Sequence, residues 1–476
     1  MKKVGFVCTT IFHYLHFRRI ASEFNEKAIF IIYAPKLTTG NRYEKLRDYF
    51  EQNNVHYCNY IDIISNQEKV QAVIAPYYFN FFPLIDRDIM RIRILYGYAK
   101  DAWNYARWNK EFDLCLVYGS YAERKLSQMV QTVSIGHPRF CSGMDKDDIV
   151  IQDIYGERLS VWLTKRFKIL YCPTWGELSS VPFFLEIVNQ LSEKYDVIIK
   201  MHHGNSLNDL FDFNCLNKEE VFLCDEVVDS FDLFGSVDLV ISDYSGVIFD
   251  AMLAKKKILL LDTEQEYIDT GFANIKKMGN IMKYNEVDIL SNGESSLDVI
   301  IREVLPHVSI DDNILNAIET ALESSIVDYD NILKDLYEYR DNFAPARACT
   351  AIYSLINGRT VRRKSDCEHS IFSKNKLINF VELFKGYEYI IWGAGEIGQL
   401  FASWLKYQEY DVKAYIDMDL NKQGMFLDGL EIHGYDYNET KNYKIIIAVV
   451  TAAEDIVKIL ERDRLVEGID FINPFI

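Results

Sequence analysis

An α/β fold of two facing doubly wound parallel sheets, followed by a third and smaller unit of the same kind, is predicted by three features of the sequence. Short β-branched runs alternate with helical patterns along most of the chain, as parallel strands covered by helices require. The length of 476 residues is about three times the ~150 of an ordinary domain. A hydrophobic content of 49%, with 14% aromatics, is ample to fill three cores.

The runs KVGFVC, AIFIIYA, VQAVIA, IRILYG, DLCLVYG and TVSIGHPRF assign residues 1–158 to a first Rossmann-like domain. The stretch from Val150 to Lys165 reads as a helix or a hinge. A second set, KILYCPTW, DVIIKMHH, VFLCD, DLVISDYSG and KILLLD, assigns residues 159–358 to a second such domain, whose part after Asp262 becomes helical and acidic. The basic, aperiodic stretch 359–374 suits an exposed linker. Residues 375–476 return to strands in YEYIIWG, DVKAYID and YKIIIAVV.

A formal charge of −18 is opposite to what a protein that neutralises nucleic-acid phosphates needs, so no nucleic-acid partner is expected. Nine cysteines contain no C-x-x-C and several sit in apolar runs, which reads as reduced thiols in a reducing compartment. Two histidines, His13 and His16, break the only signal-like stretch, and no apolar run reaches the ~18 residues of a membrane span. The expected location is cytoplasmic, with the inner face of the cell membrane and a peripheral association left open. Arg91, Arg93, Lys100, Arg107 and Lys110 form a basic strip that is either an acceptor surface or a solvated helix face.

The strongest chemical signal is residues 237–262, where a buried strand delivers Ser242 and Asp243 to its C-terminal end and Ser245-Gly246 opens the next helix. Open α/β sheets bind ligands at such strand ends, and backbone amides at a helix start suit a diphosphate, although a plain N-cap is an equal reading. Lys200, His202 and His203 after one strand, and Thr174 with Trp175 after another, should point at the same crevice. A histidine there can donate to a phosphate without a metal, while an isolated one is more often structural.

Together with Ile135-Gly136-His137-Pro138-Arg139 and the tail Tyr339-Arg340-Asp341, these segments resemble the CDP-glycerol glycerophosphotransferase family of teichoic acid and capsule polymer enzymes, of the two-Rossmann-domain GT-B glycosyltransferase type. The likeness covers roughly residues 90–357 and includes a Gly-Phe segment at 270–272 followed by MGNI at 278–281. It implies transfer from a cytidine-diphosphate-activated donor, with His202 on the donor phosphate, Asp243, Ser245 and Gly246 lining the diphosphate turn, Thr174 bordering the nucleotide and Arg347 near the positive part of that pocket. Implied partners are a nucleotide-activated donor, CDP-glycerol or a nucleotide sugar, and a saccharide or polyol-phosphate acceptor, with lipid linkage left open. The family's His-Gly-Thr-Pro-Leu-Lys segment, whose histidine resembles an acceptor base, is Tyr96-Gly97-Tyr98-Ala99-Lys100 here. Tyr96 thus stands in for it, and His13, in the first strand–helix loop, is the substitute base; imidazole suits that task, and a packing role weighs equally.

In the third unit, Gly393, Gly395 and Gly398 follow a strand and open a helix, and Asp417 ends the next strand, the full dinucleotide-type context. A dinucleotide or nucleotide bound there, and a retained docking module, are both open. Transfer itself requires no cofactor, and no metal site is expected, Asp417-Met418-Asp419 being explained by that unit. The leading reading is a transferase of bacterial surface polymer synthesis; a nucleotide-sugar epimerase or hydrolase and a non-catalytic nucleotide-binding scaffold are the rivals.

Overall fold

The computed structural model describes residues 3–33, 42–86, 88–141, 167–204, 216, 221–263, 296–358 and 372–475. Within the first unit, β1 (Lys3–Cys8), β2 (Ala28–Ile32), β3 (Tyr57–Asn59), β4 (Val70–Ala75), β5 (Met90–Ile94), β6 (Leu114–Val117) and β7 (Thr132–Ser134) form one parallel sheet in the order β3-β2-β1-β4-β5-β6-β7. Chain direction across the sheet reverses beside β1, which pairs with β2 on one side and β4 on the other. A crevice therefore opens at the C-terminal end of β1.

The second unit repeats the winding with β8 (Lys168–Cys172), β9 (Asp196–Ile199), β10 (Val221–Leu223), β11 (Leu239–Ser242), β12 (Lys257–Asp262) and β13 (His307–Ser309), in the order β10-β9-β8-β11-β12-β13. Its crevice lies between β8 and β11, which pair in register from Ile169 with Leu239 to Cys172 with Ser242. The third unit joins β14 (Glu388–Trp392), β15 (Asp411–Ile416), β16 (Phe426–Leu427), β17 (Leu430–His433), β18 (Lys444–Ile447) and β19 (Phe471–Ile472) as β16-β17-β15-β14-β18-β19. Three Rossmann-like sheets, two of them facing, are thus the architecture.

Six helices matter for the site: α1 (Ile11–Ser22), α2 (Tyr60–Ile64), α3 (Ser230–Phe234), α4 (Val247–Leu253), α5 (Ala344–Asn357) and α6 (Glu396–Tyr407). Helix α5 crosses back onto the first unit: its Ala348, Ile352 and Leu355 share a buried cluster with Phe6, Phe17 and Ile20. Residues 344–357, assigned by sequence to the second domain, thus pack into the first. Helix α6 packs against α2, so the third unit rests on the first as well.

Three sequence expectations need correction. Residues 57–59 and 307–309 are strands, too short for an alternation to show, and the segment after Asp262 is not wholly helical. The run TVSIGHPRF is a strand only to Ser134, because positive φ at Gly136 ends the extended stretch. The basic strip is not one continuous face: the Arg93 guanidinium is fully buried, donating to Pro76 O, Asn104 and Asn109, and Arg91 is buried against Glu111, whereas Arg107 is half-buried and Lys110 is exposed. The expected hinge at 150–165, the segments 270–272 and 278–281, and residues 359–371 of the linker lie outside the described residues. Among the described residues no helix is long and apolar enough to cross a membrane.

Candidate functional site

The C-terminal strand ends of all three units border one cleft of about 780 Å³. From the first unit come Thr9, Thr10 and Phe12 at the start of α1, Tyr77, and Tyr96 to Lys100 after β5; from the second come Trp175, Lys200, His202, His203, Ser245 and Gly246; from the third come Gly393, Gly395, Glu396 and Asp417.

The second unit's wall of the cleft is built around a carboxylate that does not reach the cleft. Asp243 is fully buried, and its oxygens accept from Thr174 N (2.7 Å), Ser180 N (2.9 Å) and Ser180 Oγ (2.8 Å). Burial raises its pKa against those stabilising bonds. Asp243 therefore does not line the turn that the sequence assigned to it; it fixes the loop after β8 to the end of β11. Ser242 is spent in the same way, its hydroxyl donating to Cys172 O (2.7 Å). Thr174 is buried as well, and its Oγ1 accepts from Lys100 Nζ at 3.1 Å.

Lys100 belongs to the first unit, yet its ammonium also donates to Tyr244 O (3.1 Å), placing a positive charge at the strand ends of the second. Two consecutive non-glycine residues with positive φ, Ala99 and Lys100, aim it there. Arg347, assigned to this pocket by position, is elsewhere: it donates to Ile135 O (2.8 Å), pairs with Asp341 and stacks on Tyr339, tying α5 to the loop after β7. The side-chain cation found at those strand ends is Lys100.

Gly246 lies where the lobes come closest. A Cβ there would sit 2.7 Å from Tyr98 O, so only glycine lets that backbone of the first unit approach the turn before α4.

Four rings bridge the lobes: Trp175 stacks with His202 (6.3 Å between centroids), His202 with His203 (4.2 Å), and His203 with Phe12 (4.7 Å). His202 accepts from Gly204 N at Nδ1 (2.9 Å), which assigns its proton to Nε2. Its pKa lies well below the ordinary imidazole value because of burial first, then of His203, Lys100, His13 and Lys200 around it. A neutral ring with one fixed N–H donor is the result. Lys200 reaches Asp225 O (2.7 Å) at the cleft edge.

His13 is fully buried beneath the loop, where Thr9 N donates to Nδ1 (3.2 Å) and Thr9 Oγ1 lies 3.0 Å away. This geometry occupies the lone pair that a base would use, so the ring supports the loop and does not border the cleft. Its centroid is 5.8 Å from that of His203, which does border it.

Sequence reading also missed the clamp that holds the lobes. Arg139 of the Gly-His-Pro-Arg segment donates to Asp229 at 2.6 Å, just before α3, and to Asp250 of α4 at 2.6 Å, while His137 Nε2 stands 3.2 Å from Asp250. Burial would raise the Asp250 pKa, but Arg139 and His137 hold it below its ordinary value. The acidic partners are single residues, one capping α3 and one inside α4, which carry no motif.

In the third unit, Gly393 has φ +117 and a Cβ at Gly398 would strike Gly393 O, so these glycines form a tight strand-to-helix turn. Gly393, Gly395 and Asp417 border the cleft and Gly398 lies beneath the turn. Asp417 accepts from Ala394 N (3.1 Å) and Lys422 (3.0 Å). Burial opposes its ionisation, but the N–H of Asp419, Lys422 and Ala394 hold the carboxyl below its usual range. Glu396 accepts from Tyr33 OH (2.5 Å) and Asn80 (2.9 Å) of the first unit. Among the described residues no cluster of three or more His, Cys, Asp or Glu could hold a metal ion.

Comparison with known proteins follows the same division. Residues 385–466 match a family model described as C2185-like, N-terminal. Among solved structures, the wall teichoic acid polymerase TagF after a 15-minute CDPG soak is 15% identical over 75% of this chain and 89% of its own (TM-score 0.49). The Staphylococcus aureus MnaA-UDP structure is 14% identical over 75% and 97% (TM-score 0.41), and a UDP-N-acetylglucosamine 2-epimerase 13% over 76% and 98% (TM-score 0.46). No curated protein matches the sequence. Residues 99–274 match the model described as CDP-Glycerol:Poly(glycerophosphate) glycerophosphotransferase. That segment holds Lys100, Arg139, His202, His203 and the Ser245-Gly246 turn, so the part of the chain that carries these cleft residues is similar to the glycerophosphotransferase family.

Proposed function

We propose that the cleft transfers a glycerophosphate or glycosyl group from a nucleotide-diphosphate donor, CDP-glycerol or a nucleotide sugar, to an acceptor hydroxyl in the synthesis of a teichoic-acid-like or other bacterial surface polymer. The observation that carries it is the convergence of Lys100, Lys200, His202 and the Ser245-Gly246 turn on one crevice opposite the first unit. Such a reaction needs the leaving nucleotide's charge offset, the acceptor oriented and one proton removed. Lys100 and Lys200 offset charge, and His202 Nε2–H donates to a leaving phosphate oxygen without adding a charge of its own.

The base on this reading is His203, which borders the cleft beside Tyr96, in place of His13. The acceptor oxygen gives its proton to the imidazole and forms the new bond. The bond to the leaving phosphate oxygen breaks, and its electron pair departs with the nucleotide. The glycine turn 393–395, with Asp417 and Glu396, forms the far wall of the cleft; on this reading it bounds the acceptor, and Asp417, already bonded to Ala394 and Lys422, is poorly placed to hold a dinucleotide ribose.

A panel of CDP-, UDP- and CMP-linked donors, followed by nucleotide release with and without a polyol-phosphate or saccharide acceptor, tests this. Release is expected to depend on acceptor and to fall by about a hundredfold in His202→Ala. Equal release without acceptor would instead mark a hydrolase; binding without release would mark an epimerase, if the bound sugar is inverted, or a scaffold, if it is unchanged.

A further inference from the structure

Two buried hydrogen-bonding groups of residues that border the cleft have no partner among the described residues. Thr10 ends the loop after β1 and caps α1, a helix of 12 residues, yet its side chain makes no cap hydrogen bond. It is 5% exposed, borders the cleft, and its Oγ1 has no hydrogen-bond partner among the described residues. An N-cap threonine ordinarily accepts from an amide of its own first turn, and a buried hydroxyl left unpaired is rare. Here the Thr10 carbonyl takes His13 N at 3.1 Å, and the amides of Ile11 and Phe12 have no acceptor within the helix. Arg139, which also borders the cleft, has both terminal nitrogens paired to Asp229 and Asp250, while its buried Nε has no partner among the described residues. The Phe12 ring connects the two, lying 5.1 Å from the Arg139 guanidinium and 4.7 Å from the His203 ring.

A helix start carries partial positive charge, and hydroxyl and amide donors gathered there match a tetrahedral oxyanion. We propose that the N-terminus of α1 is a second phosphate subsite, in which Thr10 Oγ1 and the Ile11 and Phe12 amides hold a phosphoryl group across the cleft from the Ser245-Gly246 turn. It rests on the transferase reading and deepens it: a substrate of this cleft presents a phosphate to the first lobe. Two sources share that chemistry, the terminal phosphate of a polyol-phosphate acceptor and the outer phosphoryl group of the donor.

The test uses the full chain with Thr10→Val, which keeps the β-branched shape and removes the hydroxyl, and Thr10→Ser, which restores it; should Thr10→Val not fold, Thr10→Ala replaces it. Glycerol 3-phosphate, CDP-glycerol and CMP are titrated calorimetrically. Loss of about tenfold or more in affinity for glycerol 3-phosphate, with CMP unchanged and Thr10→Ser restored, assigns the subsite to the acceptor. The same loss confined to CDP-glycerol assigns it to the donor's outer phosphoryl group. Unchanged affinity for both in a folded variant overturns the subsite, even if CMP binding is intact. Failure of the wild-type chain to bind any nucleotide strikes the transferase reading instead, and glycerol 3-phosphate still judges the subsite.

Discussion

Two histidines, His202 at the cleft and His16 behind it, are kept neutral by their surroundings, and this links stability to pH. His16 is fully buried with Nε2 3.0 Å from Leu95 O, and burial, then Arg139, His137 and His13, lower its pKa well below 6.5. His202 shifts in the same direction. Because the folded pKa lies below the unfolded one, the unfolded chain takes up protons first as the pH falls through about 6.5, and stability drops by about 1.4 kcal/mol per pH unit for each such histidine until the folded pKa is reached. Above that window the contribution is constant. Urea unfolding at about pH 7.5 and about pH 5.5 is expected to show this acid-side loss and a smaller one in His16→Gln. An equal slope in the variant would mean that His16 titrates normally. Asp250 acts further down: its depressed pKa adds stability above 3.8 that is lost as the pH falls through the folded value.

Among the elements, strands were more legible than the contacts between them. Apolar β-branched runs announced β1, β2, β4 and β8, because burial on both faces leaves only one kind of residue acceptable. Strands of three residues, such as β3 and β13, carry no such pattern. The glycines at 246, 393 and 398 were legible as turns, but the reason for Gly246 was not, since it lies in Tyr98, some 150 positions back in the chain. A methyl group at 246 meets Tyr98 O at 2.7 Å, backbone that cannot swing aside. Gly246→Ala is therefore expected to push the lobes apart, costing about 1–3 kcal/mol of stability and weakening donor binding about tenfold. Thermal melting and nucleotide titration would show it. A variant that melts and binds as wild type would mean that the lobes do not close as tightly as the Tyr98 contact requires.

At the scale of the molecule, three doubly wound sheets turn their strand ends toward one cavity. Sequence reading found the three units and the segment that the family model matches, but treated the third as a separate module, because nothing local in Gly393-Ala394-Gly395-Glu396 announces that Glu396 meets Tyr33 and Asn80. The same blindness to long-range pairing put Arg347 in the pocket and Lys100 on a basic strip, whereas Lys100 reaches Tyr244 O and Arg347 is held by Ile135 O and Asp341. Residue types at strand ends could be read; which of them face outward could not, since Asp243 and Thr174 look like ligand contacts until their partners at Ser180 and Lys100 are known.

The most direct measurement is a crystal structure of the full chain soaked with cytidine or uridine diphosphate. Density for the diphosphate between Ser245-Gly246, His202 and Lys100 is the expected result. A nucleotide found only at Gly393–Gly395, or a cleft that stays empty at saturating nucleotide while the ligand binds elsewhere, would contradict it.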